Sequence, residues 1–287
     1  MRKGGEVKQA GIKNIRLIAT DVDGTLVNSE GKLTERTIQA LNRLMQKGYW
    51  FTFATGRQAD VMWKMQKDIP VNAPIICSNG GEVMDLVTGE VLYRDYIPLE
   101  VGRQFALFCA RKGIDVLCRT PSVEWVNPGC RYLPKMEKRQ REAVELGHTP
   151  QGIELIDVKE IDRMEGDFIK FLCWVKNEEE EKAVEAFCAQ EPAVDVTSSS
   201  VNVLEIVPTG NDKGSGLRRV CDFLNISPEQ ACVFGDFKND LPMFQVAGMS
   251  IAVANAIEPL KAIADVVTGS NDEDGLAQAV EQYFLNP

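Results

Sequence analysis

A short apolar segment, residues 15–20, runs directly into Asp21-Val22-Asp23-Gly24. This pattern is typical of a buried parallel strand that opens into a loop at its carboxyl end, the edge at which open α/β sheets place their ligands. In an extended backbone, residues i and i+2 project the same way, so we expect Asp21 and Asp23 to point into one pocket. Two close carboxylates repel each other unless a cation or a shared proton lies between them. The segment therefore predicts a chemical site, with an aspartate-rich turn as the alternative.

Apolar strands alternate with helices over both ends of the chain, which predicts an α/β fold with a parallel, doubly wound sheet. In the first helix, Thr34 suits the N-cap and Gly48 suits the C-terminal stop. Each predicted strand ends in a small or polar cluster, and sheets of this kind build their sites from such clusters. The predicted strands are 15–20, 49–54, 74–77, 231–234 and 250–254, and the later predicted helices are 212–224 and 276–283.

The pattern changes in the middle of the chain, where helical segments carry more charge. One helix there begins at Glu178, because acidic residues favour the positive end of a helix. The strand-like runs of this segment are 115–119, 168–175 and 201–207. The simplest account is one core domain, residues 1–85 plus 208–287, with a second α/β domain, residues 86–207, inserted into it.

The charge balance and the cysteines exclude several classes of function. The 287 residues carry a formal net charge of −10, whereas nucleic-acid binding needs a basic face. The eight cysteines have no metal-ligand spacing, which favours buried free thiols in a reducing compartment. Residues 1–13 lack the apolar segment of a signal peptide, and no run of eighteen apolar residues occurs. We therefore expect a cytoplasmic monomer or small homo-oligomer that binds neither nucleic acid nor membrane.

Four clusters at predicted strand ends and helix starts supply what transfer of a phosphoryl group from an ester to water requires. They are Asp21 with Asp23, Thr55-Gly56-Arg57, Lys213, and Asp236 with Asn239 and Asp240. One carboxylate can act as nucleophile and a second as acid and base. Carboxylates from separate strands can hold a hard cation such as Mg²⁺, while a lysine and a hydroxyl orient phosphate oxygens. Each cluster alone could be a turn, a helix cap or a surface lysine, but their order and placement together indicate phosphoryl transfer.

With these motifs the chain resembles the haloacid dehalogenase (HAD) superfamily, specifically the Cof-type phosphatases with a large class IIB cap. The resemblance covers residues from about 15 to 285. It implies a Rossmann-like HAD core and an inserted α/β cap domain that selects the substrate. The matching motifs are residues 21–26, 54–57, 78–81 (the cap-proximal signature), 212–214 and 235–240, with a tail at 252–256 and 271–275.

The resemblance also implies a role for each motif residue. The implied catalytic residues are Asp21 as nucleophile, Asp23 as general acid and base, and Lys213. The implied Mg²⁺ ligands are Asp21, Asp23 through its backbone carbonyl, and Asp236, with Asp240 in support. The implied phosphate-binding residues are Asp21, Thr55, Gly56, Lys213 and Asn239.

The expected activity is therefore Mg²⁺-dependent hydrolysis of phosphomonoesters through an aspartyl-phosphate. The expected substrate is a small phosphorylated metabolite, either a sugar phosphate or a phosphorylated cofactor. Two alternatives stay open: a sugar phosphomutase, which uses the same intermediate, and a non-catalytic sensor of phosphorylated metabolites. The presence of Asp23 argues against a sensor, because a binder needs no acid or base.

Two positions depart from the family pattern. Phe237-Lys238 follows the metal aspartate where glycine is usual, and Ala254 stands in place of a glycine. A bulky aromatic side chain or a new cation beside the pocket would narrow or retune substrate entry, and we expect activity to survive both departures because neither removes a catalytic group. In the inserted domain, the candidates for substrate contact are Arg119, Trp125, Arg131, Tyr132 and His148, each of which is more often a packing or surface residue.

Overall fold

The computed structural model describes residues 14–145, 152–155 and 157–286. These residues form two compact units. The first consists of the described residues up to Tyr93 and those from Asn211 onward, and the second is Arg94–Gly210. The first unit extends past residue 85 because the strand at residues 91–94 pairs with its neighbour there. That the second unit is the substrate-selecting cap stays a prediction, and His148 lies outside the described residues.

Strands and helices alternate in the first unit, whereas the second contains most of the antiparallel strands. The strands are β1 Leu17–Thr20, β2 Trp50–Phe53, β3 Ile75–Cys77, β4 Glu82–Met84, β5 Val91–Arg94, β6 Asp115–Arg119, β7 Val123–Val126, β8 Gly152–Leu155, β9 Lys170–Trp174, β10 Val194–Ser200, β11 Val203–Pro208, β12 Ala231–Gly235, β13 Met249–Ala252 and β14 Val266–Val267. The helices are α1 Glu35–Gln46, α2 Trp63–Asp68, α3 Leu99–Lys112, α4 Leu133–Glu145, α5 Glu178–Cys188, α6 Lys213–Phe223, α7 Leu241–Val246, α8 Glu258–Lys261 and α9 Gly275–Val280. None of the helices within the described ranges is long and apolar enough to cross a membrane.

The first unit is built on a parallel sheet of five strands in the order β14-β13-β12-β1-β2. A parallel bridge between Ala54 and Ile76 connects its β2 edge to the smaller sheet β3-β4-β5. Because the strands are parallel, their carboxyl ends meet at one edge. The predicted motifs that follow β1, β2 and β12 therefore lie along that edge.

Apolar side chains cover both faces of this sheet, so the predicted doubly wound arrangement is confirmed. Ile18 belongs to the core with α1 and α9, whereas Leu17 and Ala19 belong to the core with α6 and α7. This alternation is the period of two expected for a strand buried on both faces. Each fully buried aliphatic side chain contributes about 1.5–3 kcal/mol relative to exposure.

Local capping confirms the helix starts that the sequence predicts. Thr34 accepts a hydrogen bond from the backbone N–H of Thr37, and α1 stops before Gly48, which has φ +92°. In α6, the Asp212 side chain accepts from the backbone N–H of Ser215. The Ser215 hydroxyl oxygen in turn accepts from the backbone N–H of Asp212, which closes a capping box. This cap places Lys213 in the first turn of α6, at the edge where the motifs meet.

The second unit is a six-stranded, mainly antiparallel sheet in the order β10-β11-β9-β6-β7-β8. Helices α3 and α5 pack on one face, where Phe105 stacks on Phe171 at 5.0 Å between ring centroids. On the other face, Met136 of α4 packs against Leu117 and Val126. The acidic start of α5 is confirmed, with Asn177 as its N-cap.

Candidate active site

The centre of the candidate site is an ion-paired cluster around the ammonium group of Lys213. This lysine is 0% exposed, and its Nζ lies 2.5 Å from Asp21 Oδ1 and 2.6 Å from Asp240 Oδ1. Asp21 follows β1, and its backbone N–H donates to Phe234 O of β12, which holds it at the sheet edge. Residues that are 192 positions apart in the chain are thus brought into direct contact.

Asp240 stabilises the loop that presents Asp236. Its Oδ2 accepts from the backbone N–H groups of Asp236 (2.8 Å) and Phe237 (3.0 Å). Because Oδ1 already accepts from Lys213, the carboxylate of Asp240 is engaged at both oxygens. This geometry favours a supporting role for Asp240, whereas Asp236 extends the cluster as a further carboxylate.

The carboxylates of this cluster repel one another in a buried setting. Burial raises the pKa of Asp21 well above its ordinary value; Lys213 lowers it, and Asp240 and Asp236 raise it further. Burial and the Asp240 carboxylate raise the pKa of Asp236 to about 6, opposed by its hydrogen bond from Thr25. Charge of this kind is stabilised by a bound cation.

The residues present fit a magnesium ion. Oxygen atoms of Asp21, Asp236 and Asp240 all lie within 4.8 Å of one another, and carboxylate oxygens are the ligands that Mg²⁺ prefers. The side chain of Asp23 is not part of this group, so Asp23 could contribute only the backbone carbonyl that the resemblance implies. Mg²⁺ binding by these residues stays a prediction.

The backbone after Asp21 requires glycine at residue 24. Gly24 has φ +83°, and a Cβ there would lie 2.5 Å from Asp236 Oδ2. The next residue, Thr25, donates from Oγ1 to Asp236 Oδ1 at 2.7 Å. The first motif and the fourth motif therefore interlock through Gly24 and Thr25, and neither contact was predicted from the sequence.

The two tail motifs support the same loop. Asn255 Nδ2 donates to the carbonyl of Gly24 at 2.8 Å, and Asn271 Nδ2 donates to the carbonyl of Val27 at 3.0 Å. The backbone N–H of Asn271 in turn donates to Asn255 Oδ1. The tail therefore fixes the backbone on which Asp23 and Thr25 stand.

Asp23 is paired with Arg57, a residue of the second motif that the sequence prediction left without a role. The guanidinium donates from Nε to Oδ2 (2.8 Å) and from an Nη to Oδ1 (2.6 Å). Both oxygens of Asp23 therefore accept from Arg57, and the pair must open before Asp23 can donate a proton. The available signal in the sequence was that Arg57 belongs to the same strand-end cluster as Thr55 and Gly56.

The predicted phosphate-binding residues Thr55, Gly56 and Asn239 form a second group at the edge. Thr55 and Asn239 are buried, and Gly56 is half-buried between Thr55 and Arg57. Thr55 Oγ1 accepts from the backbone N–H of Arg57 at 3.0 Å. Asn239 Nδ2 donates to Asn79 Oδ1 at 3.0 Å, which links the fourth motif to the cap-proximal signature.

The two departures from the family pattern are compatible with this backbone. The N–H of Phe237 donates to Asp240, its side chain is half-buried, and Lys238 is exposed. Ala254 is exposed and does not belong to the described residues with positive φ, so its methyl group meets no conformational obstacle.

Four candidates in the second unit have structural partners. Arg119 pairs with buried Glu124, Arg131 pairs with Asp115 at 2.5 Å, and Tyr132 stacks on Trp174 at 4.2 Å between ring centroids. The Trp125 ring is buried in the hydrophobic core of this unit. These contacts favour packing and ion-pair roles.

The fold and this clustering of motifs define a phosphoryl-transfer hydrolase. Residues 18–280 match the family model of haloacid dehalogenase-like hydrolases. The chain therefore belongs to the haloacid dehalogenase-like hydrolase family, and within it to the Cof-type phosphatases.

Individual relatives are similar to this chain over nearly their whole length. The chain is 28% identical to the 5-amino-6-(5-phospho-D-ribitylamino)uracil phosphatase YwtE of Bacillus subtilis, over 94% of this chain and 98% of that protein. Among solved structures, a haloacid dehalogenase-like hydrolase from Bacteroides thetaiotaomicron is similar with a TM-score of 0.78 and 27% identity, over 94% of this chain and 100% of that one. A HAD subclass IIB sugar phosphatase is similar with a TM-score of 0.75 and 26% identity, over 93% and 98% of the two chains.

Proposed function

We propose that this phosphatase is a Mg²⁺-dependent phosphomonoesterase that acts on a small phosphorylated metabolite through an aspartyl-phosphate. The observation that carries the proposal is the buried contact of Lys213 with Asp21, 2.5 Å from Nζ to Oδ1. A carboxylate nucleophile and a dianionic phosphate must approach each other, and a fixed cation beside the nucleophile offsets their repulsion. The family pattern at Asp21, Asp23, Lys213 and Asp236 supports the same assignment.

In the first step, a carboxylate oxygen of Asp21 attacks phosphorus and the bond from phosphorus to the ester oxygen breaks. Asp23 donates its proton to that departing oxygen, so the product leaves as a neutral alcohol. Arg57 must release Asp23 for this donation, because both carboxylate oxygens accept from the guanidinium in the ion pair. The phosphoryl group is then bonded to the Asp21 carboxyl oxygen, and the two together form an acyl phosphate.

In the second step, water attacks phosphorus and the bond from phosphorus to Asp21 breaks. Asp23, now a carboxylate, accepts the proton from the attacking water and returns to its starting form. Inorganic phosphate leaves and Asp21 is regenerated. The sum of the two steps is hydrolysis of one ester bond, with no oxidant or reductant.

The phosphoryl oxygens would be oriented during both steps by the phosphate-binding residues Lys213, Thr55, Gly56 and Asn239. Asp21, Asp236 and the backbone carbonyl of Asp23 would hold Mg²⁺, with Asp240 in support. When bound, the ion supplies positive charge that offsets the phosphate and the carboxylates.

The proposed substrate class is supported by the names of related proteins. One relative is named for a phosphorylated ribitylamino compound and a similar structure is a sugar phosphatase. We include in the proposal a sugar phosphate or phosphorylated cofactor as substrate, a cytoplasmic location, and a monomer or small homo-oligomer.

The test is release of inorganic phosphate from a panel of sugar phosphates, phosphorylated cofactors and an aryl phosphate, with Mg²⁺ and with EDTA. Asp21→Asn serves as the inactive variant. Asp265→Asn serves as its matched control, because Asp265 accepts hydrogen bonds from Ser250 within the same unit but belongs to none of the motifs. We expect Mg²⁺-dependent release in the wild type and in Asp265→Asn, and none in Asp21→Asn. Release that persists in EDTA or in Asp21→Asn contradicts the mechanism.

A further inference from the structure

The segment Ser78-Asn79-Gly80 carries the cap-proximal signature, yet the proposed mechanism gives it no role. All three residues have left-handed backbones, with φ of +50°, +54° and +92°. For Ser78 this conformation costs about 1–2 kcal/mol, whereas asparagine and glycine adopt it more readily. Such strain persists where the surrounding structure holds the backbone, and it concentrates at functional sites.

Hydrogen bonds hold this segment against the second motif, and close packing holds it against the third. The backbone N–H of Asn79 donates to the carbonyl of Thr55 at 3.1 Å, and that of Ser78 donates to the carbonyl of Arg57 at 2.9 Å. On its other side, a Cβ at Gly80 would lie 2.0 Å from the carbonyl oxygen of Asp212, the residue before Lys213. Asn79 is therefore positioned by the backbones that carry Thr55 and Lys213.

The side chain of Asn79 completes a connection to the fourth motif and leaves one donor unused. Its Oδ1 accepts from Asn239 Nδ2 at 3.0 Å. Asn79 is 1% exposed, and its Nδ2 has no hydrogen-bond partner among the described residues. A buried donor without a partner costs about 1–3 kcal/mol, which a ligand that accepts a hydrogen bond can recover.

We propose that Asn79 is a further phosphate-binding residue. The Nδ2 of Asn79 donates to a non-bridging oxygen of the phosphoryl group. The Oδ1 of Asn79 accepts from Asn239 and so orients that residue beside the same group. A neutral amide donor suits this place, because it binds an oxyanion without adding another charge to a cluster that already contains Lys213 and several carboxylates. The ligand class is a tetrahedral oxyanion, namely the phosphate monoester and the inorganic phosphate product. This inference rests on the proposed function.

Two variants separate the donor from the backbone and from the contact with Asn239. Asn79→Asp keeps an oxygen that can accept from Asn239 and tolerates the left-handed backbone, but it replaces the Nδ2 donor with an anionic oxygen. Asn79→Gly keeps the backbone conformation and removes the side chain. Asn225→Asp is the matched control, because Asn225 is also a left-handed asparagine (φ +53°) in the same unit and is exposed.

The measurement is calorimetric binding of inorganic phosphate and of orthovanadate in the presence of Mg²⁺, with Mg²⁺ binding alone and thermal unfolding measured in parallel. We expect both Asn79 variants to bind the anions about tenfold to a hundredfold more weakly, as for loss of a hydrogen bond to a charged group. Mg²⁺ affinity should stay within twofold in Asn79→Gly, which leaves the local charge unchanged, and Asn225→Asp should behave as the wild type.

A purely structural role for Asn79 would lower the unfolding temperature and leave anion affinity unchanged. Wild-type affinity for both anions in folded Asn79→Asp and Asn79→Gly therefore overturns the inference while leaving the proposed function intact. If the wild type itself neither binds these anions nor releases phosphate from any substrate, the proposed function fails and this inference fails with it.

Discussion

Lys213 shows how a fully buried charge is maintained in this protein. Burial alone would lower the pKa of its ammonium group, but the adjacent carboxylates of Asp21 and Asp240 outweigh that effect and raise it. The group therefore stays charged at neutral pH. A buried pair of this kind contributes little net stability, yet removal of one partner leaves an uncompensated charge. Two carboxylates on one lysine reduce that risk, because either alone still pairs with the ammonium group.

Asp21→Asn should reduce phosphate release to background, because an amide oxygen cannot act as the nucleophile. The fold should survive, since Asp240 remains paired with Lys213. We expect the free energy of unfolding to change little, because loss of the hydrogen bond to Lys213 is offset by removal of a buried carboxylate whose pKa burial raises well above its ordinary value. Phosphate release and denaturant unfolding measure the two effects. Substantial turnover in the folded variant would exclude Asp21 as the nucleophile.

Asp23→Asn should affect substrates according to their leaving groups. General acid catalysis typically contributes about 10²- to 10⁴-fold, and this contribution matters most when the departing alkoxide is strongly basic. We expect a large loss of kcat for an alkyl phosphate and a much smaller loss for an activated aryl phosphate. The ratio of the two rates in the variant and in the wild type is the measurement. Equal losses on both substrates are the result that contradicts an acid role.

At the scale of elements, the site depends on loops that follow the parallel strands. The loop after β1 contacts the loop after β12 through Thr25 and Asp236, and the tail asparagines Asn255 and Asn271 hold it by hydrogen bonds to its carbonyl groups. The strands position these loops because β1 lies between β12 and β2 in the sheet. The supporting contacts are short, and a single added methyl group is enough to disturb them.

Gly24→Ala should disrupt the proposed metal site, whereas Gly31→Ala should not. Both glycines lie in the stretch after β1 with positive φ, +83° and +73°, so both alanines cost about 1–2 kcal/mol of backbone strain. Only at Gly24 would the new Cβ contact Asp236, because the space around Gly31 is open. We expect Mg²⁺ affinity and activity to fall tenfold or more in Gly24→Ala alone. Mg²⁺ titration by calorimetry, with thermal unfolding of both variants, makes the comparison. Equal Mg²⁺ affinities for the two variants would count against a metal site at Asp236.

At the scale of the whole molecule, the buried carboxylates of the acidic cluster lower the stability of the metal-free protein, and the proposed Mg²⁺ site predicts that the ion restores it. In the absence of metal, burial and the neighbouring Asp240 carboxylate disfavour the charged form of Asp236. Asp236→Asn removes that charge, and its remaining carbonyl oxygen can still accept from Thr25. We expect the metal-free variant to be more stable than the metal-free wild type by about 1–2 kcal/mol.

Addition of Mg²⁺ should reverse that order. Mg²⁺ should raise the unfolding temperature of the wild type, because an ion that binds only the folded state stabilises it by mass action. It should have little effect on Asp236→Asn. The measurement is the unfolding temperature of both proteins, each determined with EDTA and with Mg²⁺. A wild type that is insensitive to Mg²⁺, or a variant that still responds fully, would refute the metal site.

Much of the fold follows from local pattern. The alternation of apolar segments and helix signals predicts the doubly wound sheet, because strand and helix periods differ and are visible in short windows. Thr34 and Asp212 mark helix starts for an equally local reason, since a cap bonds residues within one turn. The boundary between the two units was harder to predict from the sequence, because it depends on the pairing of residues 91–94 with a neighbouring strand.

The sequence by itself determined which residue types stand at the ends of β1, β2 and β12, and hence the family and its chemistry. Only the tertiary structure decided which of those side chains touch. It pairs Arg57 with Asp23, places Lys213 between Asp21 and Asp240, and joins Asn239 to Asn79 across 160 positions of chain. The physical reason is that such contacts depend on strand order and on loop backbone conformation. Both are properties of the packed sheet, and no local window of residues carries them.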